Sequence, residues 1–190
     1  MTSFEMYSVT NFGKIGDTNA VSILYPNQKL GRLSTTSLDA LIEEADKLIE
    51  NHNYIQACEK YYKVMEEAIK KLVEVYKDSV EEIKEIVERI ESLGFWYTKL
   101  LEQAAQKISE ILKKSGLDNE ASFYSAWEDA LRLHRDCFHE QILDSEKIRE
   151  KKDKIIFVYS KIKELLTKID EQYLTHYDQG GTYFITKPGS

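Results

Sequence analysis

Residues 36–73 read TSLDALIEEADKLIENHNYIQACEKYYKVMEEAIKKLV, and this stretch decides the fold. Leu38, Leu41, Ile42, Ala45, Leu48 and Ile49 recur by threes and fours, so they share one face of a helix that begins near Thr36 and Ser37. Asn51, His52 and Asn53 then close it, and Gln56 stands three residues beyond Asn53, the spacing of a capping box. A connection this short makes its two helices antiparallel neighbours. The second helix, over residues 53–77, is apolar on more than one side: Ile55, Ala57, Cys58, Tyr61, Met65, Ala68, Ile69, Leu72 and Val73. A helix greasy around most of its girth belongs in the middle, so it is expected to be the most buried member of a bundle.

The same grammar continues outward. No proline occurs between Thr36 and Tyr177, and Gly94 and Gly116 are the only glycines in that span. A third helix is expected from Asp78 and Ser79, with Glu82 in its first turn, an apolar stripe at Val80, Ile83, Ile86, Val87 and Ile90, and an acidic outer face. Gly94 breaks it. A fourth helix carries Trp96, Leu100, Leu101, Ala104, Ile108, Ile111 and Leu112, and stops at Ser115 and Gly116, a glycine C-cap. The fifth runs from Asp118 or Asn119 to the neighbourhood of Leu143, with Phe123, Trp127, Ala130, Leu131 and Phe138 turned inward. Asp144 and Ser145 open the sixth and longest. Its Ile148, Ile155, Tyr159, Ile162, Leu166, Ile169 and Tyr173 keep the 3.5-residue rhythm of a long packed seam, with Lys152 the one polar intruder. That seam suits packing within the chain or against a second copy.

The two ends follow different rules. Residues 1–36 hold short apolar runs (Phe4, Met6, Val9 and Phe12, then Val21, Ile23 and Tyr25) around a Gly13–Asn19 turn, which is the pattern of a hairpin. After Gly180 and Gly181, residues Thr182 to Thr186 read as one more strand. Three segments follow: a hairpin-like extension over 1–36, a helical bundle over 37–177, and a strand-like tail over 178–190. The fold class is all-α, a bundle of six helices with short β-strand appendages at both ends.

Composition narrows the function. The chain has 190 residues, 42% hydrophobic and 31% charged, ordinary for a single folded domain. The net charge of −7, from 33 acids and 26 bases, excludes a whole-molecule basic field, so nucleic acid has to be met by a local patch. Neither a basic-then-apolar leader nor an apolar run of about 18 residues is present, so the reading is a cytoplasmic protein without membrane spans. The two cysteines, Cys58 and Cys137, both fall within helical patterns. They read as reduced residues, Cys137 being a small core side chain beside Phe138.

One constellation has the residue types for chemistry. Arg132, Arg135 and His139 stand at i, i+3 and i+7, and on an α-helix they share a face. Two guanidinium groups and an imidazole so placed fit a phosphodiester: the arginines stabilise charge growing on phosphorus, and the imidazole moves a proton near neutral pH. That is the toolkit of metal-free RNA cleavage by attack of the ribose 2′-OH. The same residues also fit solvated pairs with Glu128, Asp136 and Glu140 at helical spacing. Lys147, Arg149, Lys151, Lys152 and Lys154 form a basic cluster early in the sixth helix that suits phosphate contacts, interleaved with Glu146, Glu150 and Asp153. No metal and no cofactor is expected. His134 and Cys137 are one turn apart, but His139 is rotated well away from them on an α-helix, and no Cys-x-x-Cys or His-Glu-x-x-His spacing occurs.

Several segments resemble the archaeal PaREP family of the HEPN superfamily. They are Ser37 to Glu50, Asn53 to Lys70 with its Ala57, Glu59 and Lys60, Ala126 to His134, and Phe138 to Glu140. The resemblance covers residues 37–174 and neither end. It implies an all-α HEPN-like bundle that often pairs two-fold, hence a homodimer, and a link to RNA as nuclease, toxin or inactive binder. The superfamily's catalytic signature is an arginine, four to six residues, and a histidine at the dimer cleft. Arg132 and His139, six residues between them, meet its outer limit, whereas Arg135 and His139 enclose three. Leu133 stands where a polar residue usually follows the arginine, and His139 where tyrosine is usual. The expectation is a non-catalytic RNA- or ribonucleoprotein-associated binding protein. Its alternatives are a metal-independent, toxin-like endoribonuclease using Arg132 and His139 with Arg135 in support, and a structural or antitoxin-type module whose terminal strands join a protein partner's sheet.

Overall fold

A computed structural model describes residues 36–114, 116 and 122–178, with side chains placed for 37–169 of these. The hairpin read near the N-terminus and the strand read at Thr182 to Thr186 lie outside the described residues, among which no strand occurs. Six helices do occur: α1 (Thr36–Glu50), α2 (Tyr54–Tyr76), α3 (Glu81–Leu93), α4 (Thr98–Lys114), α5 (Phe123–Arg132) and α6 (Ser145–Asp178). A seventh element, a π-helical turn over Leu133–His139, continues α5 without a break in the chain.

The α2 helix is the axis of the bundle, and every other helix and the π-turn pack on it. Its Tyr61, Met65, Ile69 and Leu72 are fully buried, as the distribution of apolar residues around its girth requires. The tight connection before it works as its residues dictate. Asn53 caps α2 by accepting the Gln56 N–H at 3.4 Å, and His52 takes a left-handed conformation (φ 57°) that turns the chain back. Carboxylates on α1 then tie it to α6 across the top of α2. Asp39 receives the Tyr159 hydroxyl and the Lys163 ammonium, both at 2.8 Å, while Asp46 receives the Tyr61 hydroxyl at 2.6 Å and Lys152 at 2.7 Å. The polar intruder in the α6 seam is thus matched to an acid on α1. The rest of that seam, from Ile148 to Ile169, is buried within the chain.

The α5 helix opens at Phe123, behind the N-cap Ser122 that accepts the Ser125 N–H at 2.9 Å, and not at Asp118 or Asn119; three more boundaries differ from the sequence reading, each for a local reason. The α3 helix starts at Glu81 because the Ser79 hydroxyl donates backward to the Tyr76 carbonyl at 3.3 Å, and Val80, with no side-chain cap, holds the N-cap position. Trp96 and Tyr97 precede α4, which opens at Thr98. The third difference is the largest. The single fifth helix expected to reach Leu143 stops being α-helical at Arg132, and the Glu140 N–H bonds to the Arg135 carbonyl, five residues back, at 3.0 Å. Gln141 then takes φ 56°, and the Ile142 N–H reaches the Asp136 carbonyl, so the chain turns before Asp144 caps α6 through the Lys147 N–H at 2.8 Å. No glycine or proline lies in this stretch, so nothing in its composition announced the change of winding.

The reading of two reduced cysteines is corrected. Cys58 and Cys137 form a disulfide with Cα atoms 6.3 Å apart, joining α2 to the π-turn. They are 79 residues apart in the chain, a distance over which helical periodicity carries no pairing information. A crosslink closing so long a loop removes conformational freedom from the unfolded chain, an effect of about 2–4 kcal/mol. Replacing both cysteines by alanine is therefore expected to lower the guanidinium unfolding midpoint by a corresponding amount, and alkylation of the unreduced, unfolded wild type should leave its mass unchanged.

Candidate functional site

The π-turn gathers side chains that an α-helix would scatter. On an α-helix, residues five apart point about 140° away from one another. The five-residue hydrogen-bonded turn brings them onto one side. His134 and His139 are such a pair, and their Nε2 atoms stand 3.1 Å apart with the rings edge to face. The other nitrogen of His134, Nδ1, lies 2.6 Å from a carboxylate oxygen of Glu59 on α2. Tyr62 stacks on the ring at 4.3 Å between centroids, and Phe138 lies nearly parallel to it at 5.8 Å. Tyr62 itself rests on the fully buried Trp127. Its hydroxyl is pushed up to about 12, chiefly by burial and then by the carboxylates of Glu66 and Glu59, so it stays neutral beside the imidazole.

With both imidazoles neutral, the hydrogen bonds allow one arrangement of the protons: an ionised Glu59 only accepts, so His134 carries its proton on Nδ1 and presents a lone pair at Nε2. In that state His139 donates its Nε2–H to that lone pair, and its own Nδ1 ends the line. The result is a carboxylate–imidazole–imidazole line running from the partly buried Glu59 (23% exposed) through His134 (29%) to the exposed His139. The disulfide belongs to this geometry. Cys58 immediately precedes Glu59, and Cys137 lies between the two histidines, so one covalent link holds both halves of the line together.

Of the residues singled out in the sequence, His134 and His139 are in this site, while Arg132 and Arg135 are exposed on the same segment without bonding to it. Arg135, 65% exposed, forks onto the Asp136 carboxylate with Nε and Nη2. That fork, and then the charge of Arg132, hold the Asp136 carboxyl below its ordinary range against partial burial. Arg132 ends α5 and makes no ion pair or hydrogen bond among the described residues; no contact joins either arginine to His139. The i, i+7 alignment of Arg132 and His139 belongs to an uninterrupted α-helix, which this segment is not.

The basic cluster of α6 is largely occupied. Lys151 and Lys154 both grip Asp129 of α5, at 2.7 and 3.0 Å, and Lys154 also donates to the Ser125 hydroxyl. Lys152 is held by Asp46, and Lys147 sits 3.6 Å from Asp144 at the start of its own helix. Arg149 touches the Tyr54 hydroxyl at 3.5 Å, beside the His52 ring, close to where the Cys137 sulfur meets the Tyr54 carbonyl. These side chains serve first to join α6 to α1 and α5. Glu59 is the participant that sequence reasoning missed, and His134, weighed there only as a metal ligand and set aside, is the one it left without a partner. Their separation of 75 residues hides the contact. The one usable signal was the pair of cysteines: bridging them places Glu59 next to the π-turn.

Among the described residues no group of three or more histidine, cysteine or acidic side chains converges to hold a metal ion, and no helix is long and apolar enough to cross a membrane. What the fold and site define is a six-helix bundle organised around one buried helix, with an ionisable line on its surface. The chain belongs to the archaeal PaREP1/PaREP8 family, whose sequence pattern matches residues 34–158. It is similar in structure to a protein from Sulfolobus solfataricus solved by crystallography, with 29% identity and a TM-score of 0.53 over 69% of this chain and 97% of the other. A solution structure under the same target designation is 30% identical over 70% of this chain and 95% of the other, with a TM-score of 0.49. No curated protein matches the chain.

The carboxylates that hold the lysines give the fold a defined acid limit. Burial opposes ionisation of Asp129, yet the hydrogen bonds from Lys151 and Lys154 outweigh it and keep its carboxyl below the ordinary range. The balance at Asp46 is the same, with Lys152 and Tyr61 as partners. A folded pKa below the unfolded one means that the unfolded chain takes up protons first as pH falls. The stabilisation is complete above the unfolded value of about 3.9 and is lost as pH drops through the lower native value. Urea midpoints measured from about pH 7 to about pH 3 should therefore fall for the wild type. Asp129→Asn should start lower at neutral pH and fall less steeply.

Proposed function

We propose that this is an HEPN-like, RNA-associated protein, acting as a homodimer, that meets the ribose–phosphate backbone with the surface around the π-turn. The observation that supports this most is the exposure of Arg132, Arg135 and His139 along the π-turn and the residue that precedes it, with Arg149 of α6 and His52 meeting at the Tyr54 hydroxyl near the α1–α2 connection. Arg135 uses its Nε and one Nη on Asp136, and its remaining N–H groups are available to a phosphate oxygen. Because Lys151, Lys152 and Lys154 already face carboxylates, the contact surface in this reading centres on the arginines and His139 rather than on α6.

The line from Glu59 through His134 to His139 favours a second reading, metal-independent RNA cleavage. A binding surface has no need of an imidazole whose partner is fixed by a carboxylate. An acid–base group has, since the fixed tautomer of His134 leaves His139 a basic nitrogen to receive a proton. In that reaction the ribose 2′-OH gives its proton to His139, its oxygen attacks the adjacent phosphorus, and the 5′-oxygen leaves with a proton from solvent. An arginine stabilises the charge that builds on the phosphoryl oxygens.

Incubating the purified protein with structured and unstructured RNAs in excess EDTA, alongside a 2′-O-methyl RNA for binding, tests both readings. Cleavage that persists in EDTA, is lost in His139→Ala and falls at least tenfold in Glu59→Gln is the expected result of the second. Salt-dependent binding of the 2′-O-methyl RNA that weakens in the Arg132→Ala, Arg135→Ala double variant is expected of both. Binding without cleavage leaves the first reading alone, and absence of binding at low salt overturns both.

A further inference from the structure

We infer that His134 and His139 form a two-histidine chelating site for a borderline divalent transition metal of the zinc, nickel and copper class. The inference stands apart from the RNA reading, because it needs only the two imidazoles and what holds them. Metal–imidazole bonds of about 2.0–2.1 Å, drawn from the two Nε2 atoms to a common point, enclose an angle of about 98° across the 3.1 Å gap. That angle lies between the tetrahedral value and the right angle of a square-planar or octahedral edge, so one point lies within bonding distance of both nitrogens.

Three further features of the site match metal chemistry. The Glu59 carboxylate on Nδ1 of His134 favours the tautomer whose lone pair is at Nε2, the outer-shell arrangement that orients a ligating histidine. Tyr62 and Phe138 stack on that ring and hold its plane. His139 is exposed, which gives an ion an open approach. Proton bookkeeping also closes. In the metal-free pair His139 donates from Nε2, and on binding it shifts that proton to Nδ1, so two neutral imidazoles present two lone pairs with no net change in charge.

The donor set defines what is taken. Cys137 is consumed in the disulfide, and no third side chain converges among the described residues, so water fills the remaining positions and the ion exchanges. Two imidazoles without a carboxylate in direct contact suit zinc, nickel and copper and offer little to magnesium or calcium, which demand oxygen ligands. A metal bound here occupies both linking nitrogens and so disconnects His139 from His134, which ends any acid–base work by that pair.

Titrating the EDTA-stripped, oxidised full-length chain by calorimetry with zinc and nickel, and with cupric ion followed by its paramagnetic resonance, tests the site. The expected result is one ion per chain, coupling of the cupric spectrum to two imidazole nitrogens, and no competition from millimolar magnesium. His139→Ala, a change at an exposed position, should weaken binding at least tenfold. Glu59→Gln should weaken it tenfold or more, while His52→Ala and His176→Ala leave it unaltered. Equal binding by the wild type and His139→Ala, or loss of binding in His52→Ala or His176→Ala, overturns the inference. Undiminished binding in Glu59→Gln overturns the part assigned to the carboxylate.

Discussion

Thirteen of the 23 residues of α2 are buried, and that burial is the constraint from which the rest of the molecule follows. A helix packed on one side needs one apolar stripe, and the others can be charged. With apolar residues around most of its girth, α2 has to be covered from every direction, so α1, α3, α4, α5, α6 and the π-turn all lie against it. Glu66, one of the thirteen, lies between Lys63 and Lys70 of the same helix, and their hydrogen bonds outweigh the burial that opposes its ionisation. Glu59 instead lies where the π-turn crosses the N-terminal half of α2, and it takes its partner, His134, from that turn.

The site is thus a by-product of how the cover is closed at one end. The α5 segment approaches α2 with Phe123, Ala126, Trp127 and Ala130 facing inward, at proper α-helical spacing. Leu133 and Cys137 keep facing inward beyond Arg132, and the disulfide fixes Cys137 to Cys58. The widened turn accommodates both anchors and swings His139 to the side of His134. A surface-exposed pair of rings would ordinarily be free to turn, but here the inner ring is stacked on Tyr62 and hydrogen-bonded to Glu59. Rigidity passes from the core outward through Trp127, Tyr62 and His134, and only the last member of the line faces solvent fully.

Much of this architecture was legible from residue spacing. The α1–α2 connection, the Asn53 cap, the central position of α2, the glycine stop at Gly94 and the α6 seam all rest on local periodicity and capping, and local rules are written locally. The π-turn was not legible, because its residues are ordinary helix formers and the winding is imposed by contacts with α2. Nor was the site's membership: Arg132 and Arg135 stand out as charged residues beside a histidine, whereas Glu59 resembles any other glutamate on a helix of glutamates. The lysines of α6 show the reverse error. Clustered in sequence, they read as a patch, but Asp46 and Asp129, far away along the chain, claim three of them.

At the centre of this account, a carboxylate on the most buried helix dictates which nitrogen of a partly exposed histidine holds its proton. Long-range proton–nitrogen NMR of histidine-labelled protein reads that directly, at about pH 8 where ordinary imidazoles are neutral. His134 is predicted to appear as a single Nδ1–H species with a bare Nε2, and to become a mixture of tautomers in Glu59→Gln. An Nε2–H species at His134, or a mixture that Glu59→Gln leaves unchanged, contradicts it.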